Sequence, residues 1–483
     1  MPSISPPTSD TPTPPRKGYG RRRAIVLILV HLVIAIHIAT WLILGETLAP
    51  LELNETMFTL ELGIVTVGFI FMGLIVLSSL IFGRFFCSWG CHVLALQDLA
   101  AWILEKIHIQ PKPVRSRLLL LGPLAVMAAM FIWPQIERMT DGRPFPSLHL
   151  STDKEGFGSL ITSDFLRNLP GPGITILTFL ICGGLIVYLL GSRSFCRYVC
   201  PYGAIFSLSD RIAPSRIRLD AGADCASCAA CTAACSSDIR VHEEIKRFGA
   251  VVSPSCLKDL DCVAACPSGA LRWGWARPSG WRSWSSASRH RRYDFTWGEE
   301  LAALAVGVIG FFAFRSLYGQ VPLLLAAALG VLAGWATVLI IHTIRRRDLR
   351  LKPFQLKRAG RIRLVGWVAG GLAVAFLAFT VHSSVVRLHE HRVHQLWPQV
   401  EAGHAGSVQA GYELMQELDW IHQWGLWTPP YVNDRLARTA ILLNRPDQAI
   451  EPLERLSKQW PSSNRVKAVL RDARAASGHA DDG

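Results

Sequence analysis

Charge is scarce in this chain: 18% of its 483 residues are charged and 50% are hydrophobic, against roughly 25% charged in an average soluble domain. With a mean hydropathy of +0.29, that scarcity argues against a soluble enzyme. Cysteine is absent before Cys87 and after Cys266. Twelve cysteines are too few for a disulfide scaffold at this length, and their metal-ligand spacings point to a reducing compartment. Lys and Arg are missing from the stretch that holds Glu46, Glu52, Glu55 and Glu61. The excess of 50 Lys+Arg over 36 Asp+Glu therefore lies elsewhere, as the positive-inside bias of a membrane protein, with no nucleic-acid partner needed. No proton-transfer, nucleophile or nucleotide-binding constellation stands out, so any catalysis would be redox.

What the chain has in quantity is apolar runs. A Pro/Ser/Thr-rich start and the cluster Arg16, Lys17, Arg21, Arg22, Arg23 read as a disordered basic terminus, 1–23. The run Ala24 to Gly45 that follows is long enough to span a bilayer and longer than the core of a cleavable signal. Further spans are expected at Leu62 to Phe82, Leu118 to Trp133, Gly173 to Leu190, Leu301 to Leu317, Val321 to Ile341 and Leu364 to Val381. Alternation from a cytoplasmic N-terminus puts 83–117, 191–300 and 342–363 inside, where Arg193, Arg197, Arg345, Arg346, Arg347, Arg358 and Arg361 concentrate. The expected fold is thus a mainly α integral membrane protein of about seven transmembrane helices in the cytoplasmic membrane of a bacterium, with its C-terminus outside.

Its domains are expected as a four-helix membrane domain (24–214), a ferredoxin-like module on the cytoplasmic side (215–275), a linker (276–300), three further spans (301–381) and an extracytoplasmic helical domain (382–483). The Trp/Arg mixture from Arg272 to Trp297 suits a linker at the headgroup level better than a base-stacking surface. Leu436, Ala437, Ala440, Ala449, Leu453, Leu456 and Pro461 stand where a tetratricopeptide repeat places its packing residues, with helices from about 388 to 425 expected to stack on them.

The strongest chemical motif is Cys225-x2-Cys228-x2-Cys231-x3-Cys235, followed by Cys256 and then Cys262-x3-Cys266-Pro267. Three cysteines at i, i+3, i+6 wrap one corner of a cubane, and the fourth reaches the other cluster of a two-cluster ferredoxin. On that crossed scheme one 4Fe-4S cluster takes Cys225, Cys228, Cys231 and Cys266, and the other takes Cys256, Cys262 and Cys235. A zinc ribbon needs two C-x2-C pairs and fits less well. The second cluster lacks a cysteine: Asp259 stands three after Cys256 and three before Cys262. It is either a carboxylate ligand to a fourth iron or a solvated loop residue beside a 3Fe-4S cluster.

A second motif is repeated. Phe86-Cys87-x3-Cys91-His92 follows the second span and Phe195-Cys196-x3-Cys200-Pro201 the fourth. In a helix each pair would sit one turn apart on one face. Four thiols gathered at the membrane edge can hold a metal, relay electrons by thiol-disulfide exchange, or stay reduced and inert.

Together these motifs, over about 60 to 275, make the chain resemble the membrane-bound polyferredoxins of the NapH/NosR/CcoG kind. The resemblance implies electron transfer between the quinone pool or a cytoplasmic donor and a protein redox partner, or a part in assembling a metalloenzyme. It assigns Cys87, Cys91, Cys196 and Cys200 to the C-x3-C pairs. The chain departs from the pattern at His92 and Ser236, where Pro is usual, and at Asp259, where Cys is usual. Only some 23 residues precede the first span, so the flavin domain of some relatives is not expected. The rival functions are a copper-handling or assembly factor and a redox sensor.

Among the histidines, His31 and His37 fall inside the first span, where a neutral His bonded to a neighbouring helix or a quinone hydrogen bond is expected. His389, His391 and His394 read as an interfacial helix face, with copper binding as the sharper alternative.

Overall fold

The computed structural model describes residues 18–48, 51, 55–109, 111, 114–150, 161–163, 171–280, 293–351, 353–402, 407–461 and 463–478. The Pro-rich start and residues 281–292 of the Trp/Arg-rich linker lie outside them. The described residues fall into two compact units, drawn from Met1–Leu169 with Phe179–Thr296 and from Pro170–Thr178 with Trp297–Gly483.

Among the described residues, six helices are long and apolar enough to cross a membrane: Tyr19–Leu44, Leu119–Thr140, Pro172–Leu190, Trp297–Phe314, Leu323–Arg345 and Leu364–Glu401. The protein is a multi-pass membrane protein. Its first helix starts at Tyr19, so Arg21, Arg22 and Arg23, expected in a disordered terminus, are helical.

The second expected span is shorter than its hydropathy suggested. The helix Glu55–Leu62 stops at Gly63, whose φ of +78° and close approach to the Ser147 carbonyl leave no room for a Cβ. The chain re-enters a helix only after Thr66, whose side chain caps Val67–Phe82 by accepting from Phe69 N at 3.1 Å. Those 16 residues rise about 24 Å, less than the ~30 Å of a hydrocarbon core. The helix Leu119–Thr140 widens into a π-turn at Ala128–Ile132, just ahead of Pro134, whose ring nitrogen cannot donate to the preceding turn.

In the second unit, Trp297–Phe314 and Leu323–Arg345 approach closely where Gly330 faces Gly307; a Cβ on Gly330 would lie 2.6 Å from the Gly307 carbonyl oxygen. Small residues of this kind let membrane helices pack backbone to backbone. A three-stranded antiparallel sheet, Leu349–Leu351, Phe354–Arg358 and Arg361–Ile362, precedes the last span.

That last span does not end at Val381. Leu364–Glu401 is one helix of 38 residues, because the change from apolar to polar after Val381 alters the solvent and not the helix propensity. Its far end packs on Ser407–Trp424, and the hairpins of Pro430–Leu442, Pro446–Gln459 and Asn464–Ala476 follow. Leu436, Ala437, Ala440, Ala449, Leu453 and Leu456 are buried as expected, whereas Pro461 is exposed. The buried Glu390 ties this end to the turn between the preceding two helices, accepting from Tyr318 N at 3.0 Å and from the Tyr431 hydroxyl at 2.7 Å.

Candidate functional site

The cysteine-rich segment folds as a small module closed by two antiparallel strands, Ser215–Leu219 and Leu271–Trp275. Its core buries Ile217, Val241, Ile245, Val251 and Leu271 together with Cys231, Cys256 and Cys262. Two loops in it share one backbone pattern. Ser227 and Ala229 have φ of +53° and +60°, and Lys258 and Leu260 have φ of +57° and +66°. Each loop then enters a short helix, Ala230–Ala233 or Asp261–Ala264. Left-handed conformation is costly for non-glycine residues, so its repetition at matching positions marks a specified shape. In that shape Asp259 occupies the place that Cys228 holds in the first loop.

Cys225, Cys228, Cys231 and Cys266 line one cavity of about 120 Å³, the set expected from the crossed scheme. Three thiols and a fourth from a distant loop suit a cubane, and His242 and Ile245 close part of the wall. The second set, Cys235, Cys256 and Cys262, lies close enough to interact electrostatically, with Asp259 among them. Burial pushes the Cys235 thiol up to about 12, with the Asp259 carboxylate adding to it. Burial likewise raises Cys256 and Cys262. A cluster's cationic iron reverses that penalty and holds such thiols as thiolates.

Asp259 is not solvated; it is 7% exposed. Its Oδ2 pairs with the Arg193 guanidinium and accepts from the Ser236 hydroxyl at 2.9 Å, while Oδ1 accepts from Asp261 N at 3.2 Å. Burial pushes its carboxyl up, and Arg193, Arg23 and the Ser236 hydroxyl outweigh it, leaving the group below its ordinary value. The network continues outward: Arg193 Nε lies 3.5 Å from Asp98, and Arg23 bridges Asp98 and Asp261 at 3.1 Å each.

The two C-x3-C motifs are not single helical turns. Cys87 lies in the helix Phe85–Trp89 and Cys196 in Ser194–Tyr198, whereas Cys91 and Cys200 are the extended N-caps of the following helices His92–Lys106 and Pro201–Ile212. Gly90 ends the first short helix and Pro201 begins the second long one, so neither pair shares a helix face. The fold nevertheless brings all four thiols within electrostatic reach of one another. Burial raises each of them, Cys91 to about 11 and Cys200 to about 12, with neighbouring thiols contributing. The Arg84 guanidinium, hydrogen-bonded to Cys87, pulls that thiol back down in part.

Arg84 and Arg193 each stand three residues before the first cysteine of their motif and cap its short helix. Both are buried and both reach the second cluster loop, Arg84 to the Pro254 carbonyl at 3.2 Å and Arg193 to Asp259. The repeated R-x-x-C-x3-C spacing carried that information in the sequence, where only the cysteines were weighed. Trp89 Nε1 donates to the Lys258 carbonyl at 3.1 Å. Lys258 Nζ meets Asp210 Oδ1 at 2.6 Å, and Arg216 lies 3.6 Å from Asp210, all three side chains inaccessible to water. Asp210 and Lys258 have no local motif that would have marked them.

The remaining cysteine, Cys182, lies within the span Pro172–Leu190. His31 Nδ1 bonds the Leu27 carbonyl of its own helix at 2.9 Å, not a neighbouring helix. His389 stacks on Trp420 at 3.8 Å and pairs with Glu417, while His391 bonds Gln395 one turn along. Among the described residues no group of three or more His, Cys, Asp or Glu is arranged to hold a single metal ion.

The fold and the cysteine sets define a multi-pass membrane protein that carries a ferredoxin-type module. Two stretches, 64–110 and 172–219, match the family described as a 4Fe-4S binding domain; they contain the two C-x3-C motifs. The chain is 26% identical over 200 residues to YccM of Escherichia coli strain K12, named for electron transport, covering 40% of this chain and 51% of that protein. It is 24% identical over 153 residues to the methylamine utilization ferredoxin-type protein MauN of Methylobacillus flagellatus, 32% of this chain and 48% of that one. It is 23% identical over 239 residues to the ferredoxin-type protein NapH of Haemophilus influenzae, 47% and 71%. The chain thus spans about half the length of the first two. The resemblance to the membrane-bound polyferredoxins is borne out by these relatives. No solved structure matches the chain.

Proposed function

We propose that the chain is a membrane-bound iron-sulfur electron-transfer protein that passes electrons between quinol or a cytoplasmic donor and a protein redox partner. The observation that carries this reading is the meeting of Cys225, Cys228, Cys231 and Cys266 around one cavity. The names of YccM, MauN and NapH support it. Bound clusters supply reversible one-electron carriage. The first four cysteines hold one cluster, and Cys235, Cys256 and Cys262 hold the other. Ile217, Val241 and Val251 keep water from the buried thiols. Arg84 and Arg193 hold the second loop against the membrane motifs, so that Cys87, Cys91, Cys196 and Cys200 serve as a neighbouring redox or metal site. The C-terminal hairpins, tetratricopeptide-like in their packing residues, dock a partner.

EPR of the anaerobically purified protein, with and without a quinol analogue and alongside metal analysis, tests this: iron-sulfur signals should appear and disappear reversibly, and their complete absence overturns the reading. Replacing both Cys87 and Cys196 with Ser should lower activity in a complementation assay by about tenfold or more, the scale seen when a metal site loses a supporting group. The ferredoxin signals should persist. Unchanged activity would mean that these thiols are inert.

In this reading the module is cytoplasmic, Val67–Phe82 counts as a seventh crossing, and the C-terminus lies outside. A reporter fused after Gly483 should be active only in an extracytoplasmic form; activity confined to the cytoplasm refutes the seven-span topology.

A further inference from the structure

The two loops of the module have the same backbone, yet their central side chains do different things. In the first, Cys228 faces the cavity with its partners. In the second, both oxygens of Asp259 are already engaged, by Arg193, by Ser236 and by Asp261 N. Two departures from the polyferredoxin pattern, Asp259 for Cys and Ser236 for Pro, therefore touch each other. A proline at 236 would have no hydroxyl to give. The ion-pair partner of Asp259, Arg193, is 3% exposed. Its other carboxylates are no nearer than 3.5 Å at Asp98 and 3.9 Å at Asp261. Turning Asp259 toward iron would leave this buried guanidinium without its closest counter-ion, which is strongly unfavourable. An oxygen ligand would also be a poor substitute at a soft thiolate site.

We propose that Asp259 is an ion-pair anchor for Arg193 and not an iron ligand, so that the second site holds a three-iron cluster through Cys235, Cys256 and Cys262 alone. This rests on the reading that the module carries clusters. Because Arg193 stands three residues before Cys196, the anchor fastens the second membrane motif to the open corner of that cluster and places a fixed positive charge beside it.

The test uses the whole protein, purified anaerobically and examined by EPR and iron analysis before any oxidative treatment. Wild type should show an oxidised three-iron signal, and Asp259→Ala and Asp259→Asn should show it at equal intensity per protein; Asn keeps the size of the side chain should Ala fail to fold. Asp259→Cys, which restores a fourth thiolate, should replace that signal with a second four-iron signal on reduction. A wild type without the three-iron signal, and its appearance in Asp259→Ala, would make Asp259 a ligand and overturn the proposal. Absence of every iron-sulfur signal would instead defeat the electron-transfer reading itself. Arg193→Met should shift the three-iron midpoint potential downward, since removing a nearby positive charge favours the oxidised form, and Arg193→Lys should recover most of that shift. An unmoved potential in Arg193→Met would remove the charge from the argument and overturn the anchor.

Discussion

Asp210→Ala should lower the unfolding free energy of the cluster-bearing unit by about 3–5 kcal/mol, the range for breaking a buried ion pair from one side. Asp210 is wholly buried and faces Lys258 at 2.6 Å and Arg216 at 3.6 Å, neither of which has access to water. Arg216 keeps its bonds to the Val251 carbonyl and the Ser279 hydroxyl, so the main cost falls on Lys258, within the second cluster loop. The exposed pair Asp220–Arg272, 42% and 44% accessible, supplies the control: Asp220→Ala should cost about 0–1 kcal/mol. Replacing Asp210 by Leu and Lys258 by Met together should recover much of the loss, since no unpaired lysine then remains buried. Denaturant unfolding of the detergent-solubilised protein measures all three against wild type. If Asp210→Ala costs no more than Asp220→Ala, the buried network does not hold the module in place.

The second large effect concerns iron. Cys231→Ala removes a buried thiol from the set that shares a cavity with Cys225, Cys228 and Cys266. The protein should then lose the all-cysteine four-iron signal and about four iron atoms, while the signal of the second site remains. Cys182→Ala, a change inside a span and outside both sets, should leave iron content and signals as in wild type. Full iron retention in Cys231→Ala would show that the crossed ligand set is wrong.

The meeting of Cys225, Cys228, Cys231 and Cys266 around one cavity was legible because i, i+3, i+6 and a distant fourth cysteine leave few ways to wrap a cubane. The charged pairs around those cysteines were not. Arg193 and Asp259 are 66 residues apart, Lys258 and Asp210 are 48 apart, and no local pattern links such pairs. The repeated arginines could have been noticed, since each precedes its C-x3-C motif by the same interval. Periodicity also misled twice. It treated each C-x3-C as one helical turn, although the short helices end at Gly90 and Val199, between the two cysteines of each motif. It carried the second span back to Leu62, because hydropathy does not register the tight fit of Gly63 against Ser147.

The helix Leu364–Glu401 has 38 residues, so it measures about 57 Å, of which a bilayer core takes up about 30 Å. Nearly half of it therefore runs on past the core as a rigid post, and the terminal hairpins pack along it at Val393 and Val400. A flexible tether of the same contour would let the terminal hairpins wander and search for a partner, at an effective concentration set by the tether's length. A helical post that the hairpins pack along instead fixes their height and bearing relative to the bilayer. Inserting a Gly/Ser segment near His382 would turn the post into a tether, and that fixed bearing would then be lost even though every side chain of the hairpins is retained.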